Sequence, residues 1–241
     1  MNDILDKRLL CQQFAGESAL NLDTFREIAA GYAIAESAIA VLSDLRLHRS
    51  YIFYGGFGET LSIGKRGTYT EIDSIWENEI LGRITPSDMN KKQLDELQFF
   101  DFVRRNGRGD NYFMANTISM RNGDGEEVTV LHRIIYFHEA SAVRYALCLY
   151  TPTAEMRPSV IVDSLSGEIV PLEQIEEGAI LSDREKEVLR LIDKGLSSKE
   201  ISAALYISIH TVSRHRQNIL EKLHAKNSSH ACNVAKSLRL M

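Results

Sequence analysis

The sequence predicts an α+β chain in two parts, an antiparallel sheet with helices followed by an all-α segment of four helices. Three observations carry that reading. Residues 50–150 set β-branched and aromatic runs between turns rich in Gly and Asn, as strands joined by hairpins do. From Leu181 onward apolar residues recur at helical spacing between Ser-x-x-Glu start signals. Charge is also split. The chain as a whole has 28 Lys+Arg against 33 Asp+Glu, a formal net charge of −5, yet Ala179–Met241 hold 11 Lys+Arg against 6 Asp+Glu. A polyanionic partner would therefore meet the C-terminal end.

At the N-terminus residues 3–14 form a short helix, and Thr24-Phe-Arg-Glu27 has the spacing of a capping box that opens a longer one. Phe25, Ile28, Tyr32, Ala35, Ile39 and Leu42 then recur at intervals of three and four, the seam of a coiled coil or of a helix packed along one side. Residues 1–48 are thus expected to be helical, serving dimerisation or packing on the next domain. In the domain over 49–152, Tyr51–Tyr54 precedes a turn at Gly55-Gly-Phe-Gly58, and 72–105 is helical with a break at Ile84–Asp88. Strands follow at Tyr112–Met120, Val128–Phe137 and Val143–Tyr150. Arg121-Asn-Gly-Asp-Gly-Glu126 joins the first two, its Asn-Gly and Asp-Gly pairs suiting the positive φ of a hairpin. Residues 153–178 contain a small hairpin, Ser159–Asp163 with Glu168–Leu172, and an acidic linker, Glu173–Gly178.

The segment 179–241 is more heavily punctuated. Ser182-Asp-Arg-Glu185 and Ser197-Ser-Lys-Glu200 are capping boxes, Gly195 suits the position just past a helix end, and Ser208 caps a third helix running to about His224. A fourth runs from about Asn227 or Ser228 to Leu238. Two helices joined by a turn of three or four residues fit a helix-turn-helix. Advancing ~100° per residue along the third helix puts Val212, Ile219 and Leu223 on one side with Arg216 beside them. Arg214, Gln217 and Glu221 lie opposite, with Ser213 and Asn218 at the flanks. Arg pairs bidentately with guanine and Gln with adenine, so this face has the groups that read base edges. Lys199, Thr211, His215, Lys222 and Lys226 stand where flanking phosphates would lie. The competing reading is a helical bundle with a solvated polar face.

Leu181–Leu191, Gly195–Ile201 and Ile207–Leu223 resemble the DNA-binding domain of LuxR/FixJ-type transcription regulators from end to end. The resemblance implies a four-helix, wingless helix-turn-helix that binds paired half-sites as a dimer through its fourth helices. It places the base-reading positions on Ser213, Arg214 and Gln217. These positions vary within the family, so no operator sequence carries over. The implied partners are double-stranded DNA and a second copy of the chain, with RNA polymerase as a further partner that a transcription regulator would meet.

The front part resembles no phosphoacceptor receiver, because Met1–Leu10 lacks the apolar first strand. Nor does it resemble an acyl-homoserine-lactone receptor, since Trp76 is its one Trp. The order of a leading helix, strands, short helices and three long strands resembles a PAS domain, in pattern and without a diagnostic motif. The Asn-Cys-Arg stretch of flavin photosensors is missing, and His132 and His138 read as ordinary core or surface histidines. No cofactor is implied. An unknown small molecule would sit between the sheet and residues 72–105, with Trp76, Phe99, Phe100, Phe113 and Tyr136 as lining candidates; the simpler alternative is that they fill a core.

Cys11, Cys148 and Cys232 are odd in number and lack metal-type spacing, so reduced thiols and no metal are expected. The N-terminus lacks the pattern of a signal peptide, and no apolar run reaches the ~18 residues of a membrane span, which suggests a cytoplasmic protein with no membrane partner. No phosphate loop, metalloprotease spacing or nucleophile constellation is present, so no catalytic residue and no enzyme activity is expected. The reading is a dimeric, sequence-specific regulator whose front domain senses a signal or dimerises. Its alternatives are an interaction scaffold or an enzyme that the C-terminal segment targets to DNA.

Overall fold

Asn21 starts helix α1 (Leu22–Ala35) by accepting the Asp23 N–H on its side-chain oxygen. That cap lies three residues before the expected one at Thr24. The helix ends at Glu36, Ser37 takes a left-handed φ of 53°, and the chain enters strand β1 (Ile39–Asp44). The expected seam is therefore cut in two, with Phe25 and Tyr32 on a helix and Ile39 and Leu42 in a strand. Ile39–Leu42 is an apolar run buried on both faces, and such a run has no periodicity by which to tell strand from helix. The helix stripe differs too: Ala29 and Ala33 are buried, Ile28 and Ala35 exposed.

The computed structural model describes residues 5, 8–14, 20–106, 111–140, 142–172, 181–223, 225–237 and 240. The acidic segment 173–178 and the expected helix ends at His224 and Leu238 lie outside them. The chain divides into two units, one of Asp6–Gln174 and one of Ile175–Met241 with Met1–Leu5.

In the front unit β1 is followed by β2 (Arg49–Tyr54), α2 (Gly56–Thr60), β3 (Tyr69–Ile72), α3 (Asn78–Leu81) and α4 (Pro86–Asn106). Then come β4 (Tyr112–Arg121), β5 (Glu127–Glu139), β6 (Ala142–Pro152), β7 (Val160–Asp163) and β8 (Ile169–Pro171). They form one antiparallel sheet in the order β3-β2-β1-β6-β5-β4-β7-β8. The three long strands match expectation to within two residues. Two expected boundaries do not hold: residues 39–48 and the 160–171 hairpin belong to the sheet rather than to separate segments. In the β4–β5 turn Asn122 Oδ1 accepts the N–H of Asp124 and Glu126, and the positive φ falls on Gly125.

Helix α1 covers β1, β2 and β6. The small side chains of Ala29 and Ala33 let it lie close on Ala40, Leu42, Tyr51, Tyr145, Leu147 and Leu149. The Phe25 ring sits 4.6 Å from that of Phe137 and 4.9 Å from that of Tyr145. Helix α4 takes the other face, where β5 presents Val130, His132, Ile134 and Tyr136 at the alternation of a strand. Phe99 stacks on Tyr136 at 5.1 Å and Phe100 meets it edge-on at 5.9 Å. Burial of each such side chain stabilises by ~1.5–3 kcal/mol. Both edges are short: β3 has four residues, mostly exposed, and β8 has three, the last a proline.

In the C-terminal unit α5 (Asp183–Asp193), α6 (Ser198–Leu205), α7 (Ile209–Lys222) and α8 (Ser228–Ser237) close around Leu181, Val188, Leu189, Ile201, Val212, Ile219, Leu223, Ala231 and Ala235. Among the described residues no helix is long and apolar enough to cross a membrane.

Candidate nucleic-acid interface

Three serines set the helices of the C-terminal unit. Ser182 and Ser197 each accept the N–H three residues on, and Glu185 and Glu200 return the bond to the serine N–H, completing both expected capping boxes. Ser208 caps α7 by accepting the Thr211 N–H at 3.0 Å. Gly195 has the positive φ, 85°, that a helix exit needs. Between α6 and α7 lie only Tyr206, Ile207 and Ser208. Tyr206 adopts the left-handed conformation, and the Ser202 hydroxyl donates to the Ile207 carbonyl at 2.6 Å. The turn thus holds the two helices at one angle, the geometry of a helix-turn-helix.

Helix α7 divides as expected. Val212, Ile219 and Leu223 are buried, and Arg216 donates to the Leu196 carbonyl at 3.3 Å. Ser213, Arg214, Gln217 and Glu221 are exposed. The first turn of α7 has no acidic residue, so its positive dipole end faces outward uncancelled and favours a phosphate. Ser213 donates its hydroxyl to the Ile209 carbonyl, which leaves its lone pairs outward, and the Gln217 amide donates to Glu221 at 3.3 Å. Arg214 has no ion pair among the described residues.

The five residues expected at phosphates separate into groups. Lys199 and Lys226 are exposed. Thr211 and His215 are half-buried, with the Thr211 hydroxyl bonded to that of Ser208 at 2.8 Å. Lys222 is committed within the unit, donating to the buried Glu185 carboxylate at 2.6 Å. Burial alone would raise the Glu185 pKa; the Lys222 ammonium and the Ser182 N–H outweigh it and hold the carboxyl below its ordinary value. A helix wheel shows only one element, so it could not reveal that Lys222 faces α5. Two exposed residues escaped the sequence reading, Tyr206 at 95% and Ile209 at 50%, both at the N-terminal end of α7. Their signal was there: large apolar side chains in a turn with no core position to fill.

The expected pocket in the front unit comes apart. Trp76 and Tyr136 line a cavity between the sheet and α4, whereas Phe99 and Phe100 are core residues that do not border it. Phe113 is on the opposite face, in a groove of about 340 Å³ with Tyr32, Ile135 and Phe137. Strand alternation is the reason, since its neighbour Met114 is the residue turned toward α4.

Residues 179–235 match the family described as bacterial regulatory proteins, luxR family. Over 62 residues the chain is 40% identical to the oxygen regulatory protein NreC of Staphylococcus carnosus, covering 26% of this chain and 29% of that protein. Over 52 residues it is 46% identical to the response regulator protein VraR of Staphylococcus aureus, covering 22% and 25%. The chain spans about a quarter of the length of VraR and less than a third of NreC. A structure of the Vibrio cholerae VqmA dimer is 15% identical over 90% of this chain and 88% of that one, with a TM-score of 0.32. The front unit therefore stands on its own strands and helices.

Proposed function

With a luxR-family domain at residues 179–235 as the premise, we propose that this protein is a sequence-specific DNA-binding transcription regulator that acts as a homodimer. One observation carries the proposal. The exposed face of α7 offers Ser213, Arg214 and Gln217 at the outward-facing start of a helix that a three-residue turn holds in place. Arg214 and Gln217 read base edges, while Lys199, Lys226, Thr211 and the α7 N-terminus contact phosphates on either side. The front unit, PAS-like in its order of helix, strands, short helices and long strands, senses a signal or pairs two copies. Catalysis has no part in this reading, because the relatives are regulators and no nucleophile constellation stands out.

Selection of DNA sites from a random pool by the full-length protein tests it. The expected result is a two-fold site bound with an affinity that falls steeply with salt, by a slope of about −0.9 per phosphate contacted. Binding that enriches no sequence and ignores salt would overturn it.

A further inference from the structure

A cluster between α4 and the sheet has no part in DNA binding. Glu96 of α4, His132 of β5 and Cys148 of β6 bring a carboxylate oxygen, a ring nitrogen and a sulfur within 4.8 Å of one another, and all three residues are buried.

Neighbouring hydrogen bonds set the histidine. The Ser159 hydroxyl and the Asn116 Nδ2–H both donate to Asp95 Oδ2, at 2.6 and 2.7 Å. Asn116 must therefore turn its Oδ1 toward His132 Nδ1, 3.1 Å away. An amide oxygen only accepts, so Nδ1 carries the proton and Nε2 keeps its lone pair. Nε2 is buried without a hydrogen-bond partner, and Glu96 Oε1 stands 3.6 Å from it. A metal-binding histidine is oriented in this way, one nitrogen donating to a fixed acceptor and the other aimed at the ion.

Charge and size agree. Lys92 donates to Glu96 Oε1 at 2.7 Å, and the buried Glu77 accepts the Tyr150 hydroxyl at 2.7 Å. Two carboxylates against one ammonium leave one negative charge uncompensated where water is scarce. A cavity of about 30 Å³ lies beside them, lined in part by Glu77, Lys92, Glu96 and Cys148. That is room for a water or two, far below the ~300–1,000 Å³ of pockets that take organic ligands.

We propose that Glu96, His132 and Cys148 bind one divalent transition-metal cation of the zinc class, clamped between α4 and strands β5 and β6. On binding, the Cys148 S–H bond breaks, its proton leaves to solvent and a thiolate–metal bond forms. The divalent ion and the new thiolate bring the local charge to zero. Donors ~2.0–2.3 Å from a tetrahedral ion stand roughly 3.5 Å apart, so the three side chains close in by under about 1 Å each. A carboxylate has lone pairs enough for both Lys92 and the ion. The fourth position faces the cavity. A thiolate and an imidazole select zinc, cobalt or copper over magnesium and calcium.

Cobalt(II) titration of the full-length protein, stripped with chelator, tests the site. One equivalent should produce a thiolate-to-cobalt charge-transfer band in the near ultraviolet and the visible bands of a tetrahedral ion, both removed by excess zinc. Cys148→Ser should abolish the charge-transfer band, whereas Cys11→Ser and Cys232→Ser should keep it. Asn116→Ala, which removes no ligand, should weaken binding by ~10–100-fold. Circular dichroism of each variant separates loss of metal from loss of fold. X-ray absorption on the zinc-loaded wild-type chain needs no variant: one sulfur at ~2.3 Å with nitrogen or oxygen at ~2.0–2.2 Å is expected. Failure to take up cobalt, a shell without sulfur, or a band that survives in Cys148→Ser overturns the proposal.

Discussion

The two units put their polar side chains in opposite places. The C-terminal unit turns Lys199, Ser213, Arg214, Gln217 and Lys226 outward, whereas the front unit buries Lys92, Asp95, Glu96, Asn116 and His132 between helix and sheet. An outward polar group costs folding almost nothing and is free to meet a partner. An inward one loses its hydration and persists only with partners of its own. Substitutions on the first set should therefore change binding and spare stability, and substitutions on the second should do the reverse.

The most severe break in that contrast is Lys92→Met. Burial works against the Lys92 charge, yet Glu96 and Glu77 outweigh it and hold its pKa above the ordinary value. Without Lys92 the Glu96 carboxylate is buried alone, and urea unfolding of the front unit should lose about 3–5 kcal/mol. Adding Glu96→Leu should recover part of the loss; no recovery would mean that Lys92 acts through packing instead. Next is Arg214→Ala, which should lower preference for the selected site by ~1–3 kcal/mol in competition binding and move the unfolding free energy by less than about 0.5 kcal/mol. Ser197→Ala sharpens the contrast from the other side, because Ser197 is exposed but holds a helix start. It should cost about 1 kcal/mol in unfolding and leave base preference unchanged. The smallest effect concerns acid. The folded pKa of Glu185 lies below its unfolded one, so its contribution is complete above about pH 4.3 and is lost as pH falls through the folded value. The stability gap between wild type and Glu185→Gln should close in that acid range, and a gap constant down to pH 2 would show that the Lys222 pair contributes nothing.

The same contrast explains what could be read in the sequence. Helix starts in the C-terminal unit are decided within four residues, so Ser182, Ser197 and Ser208 announced themselves, and the face of α7 followed from its own periodicity. In the front unit the deciding contacts are distant. Ile39–Asp44 is a strand because β2 and β6 flank it, and nothing within the run says so. Thr24 offered a capping box that the chain passed over for Asn21. Phe113 is one residue from the face it was expected on, and one residue reverses a strand's side chains. Lys222 looked free until the fold set Glu185 against it. Glu96, His132 and Cys148 come from a helix and two strands, so the spacing rules that find zinc motifs in sequence had nothing to register.

The strands at the rims of the sheet bear on how this protein keeps company. A long, flat rim strand offers its spare N–H and C=O groups to any passing chain and seeds aggregation. Here Glu71 on one rim is held by Arg49 at 2.7 Å, and the other rim ends at Pro171, which has no N–H to lend. Neither border invites another copy to extend the sheet into a fibre. Two copies that meet must do so through side chains, whose fit can discriminate between partners where a bare backbone accepts them all.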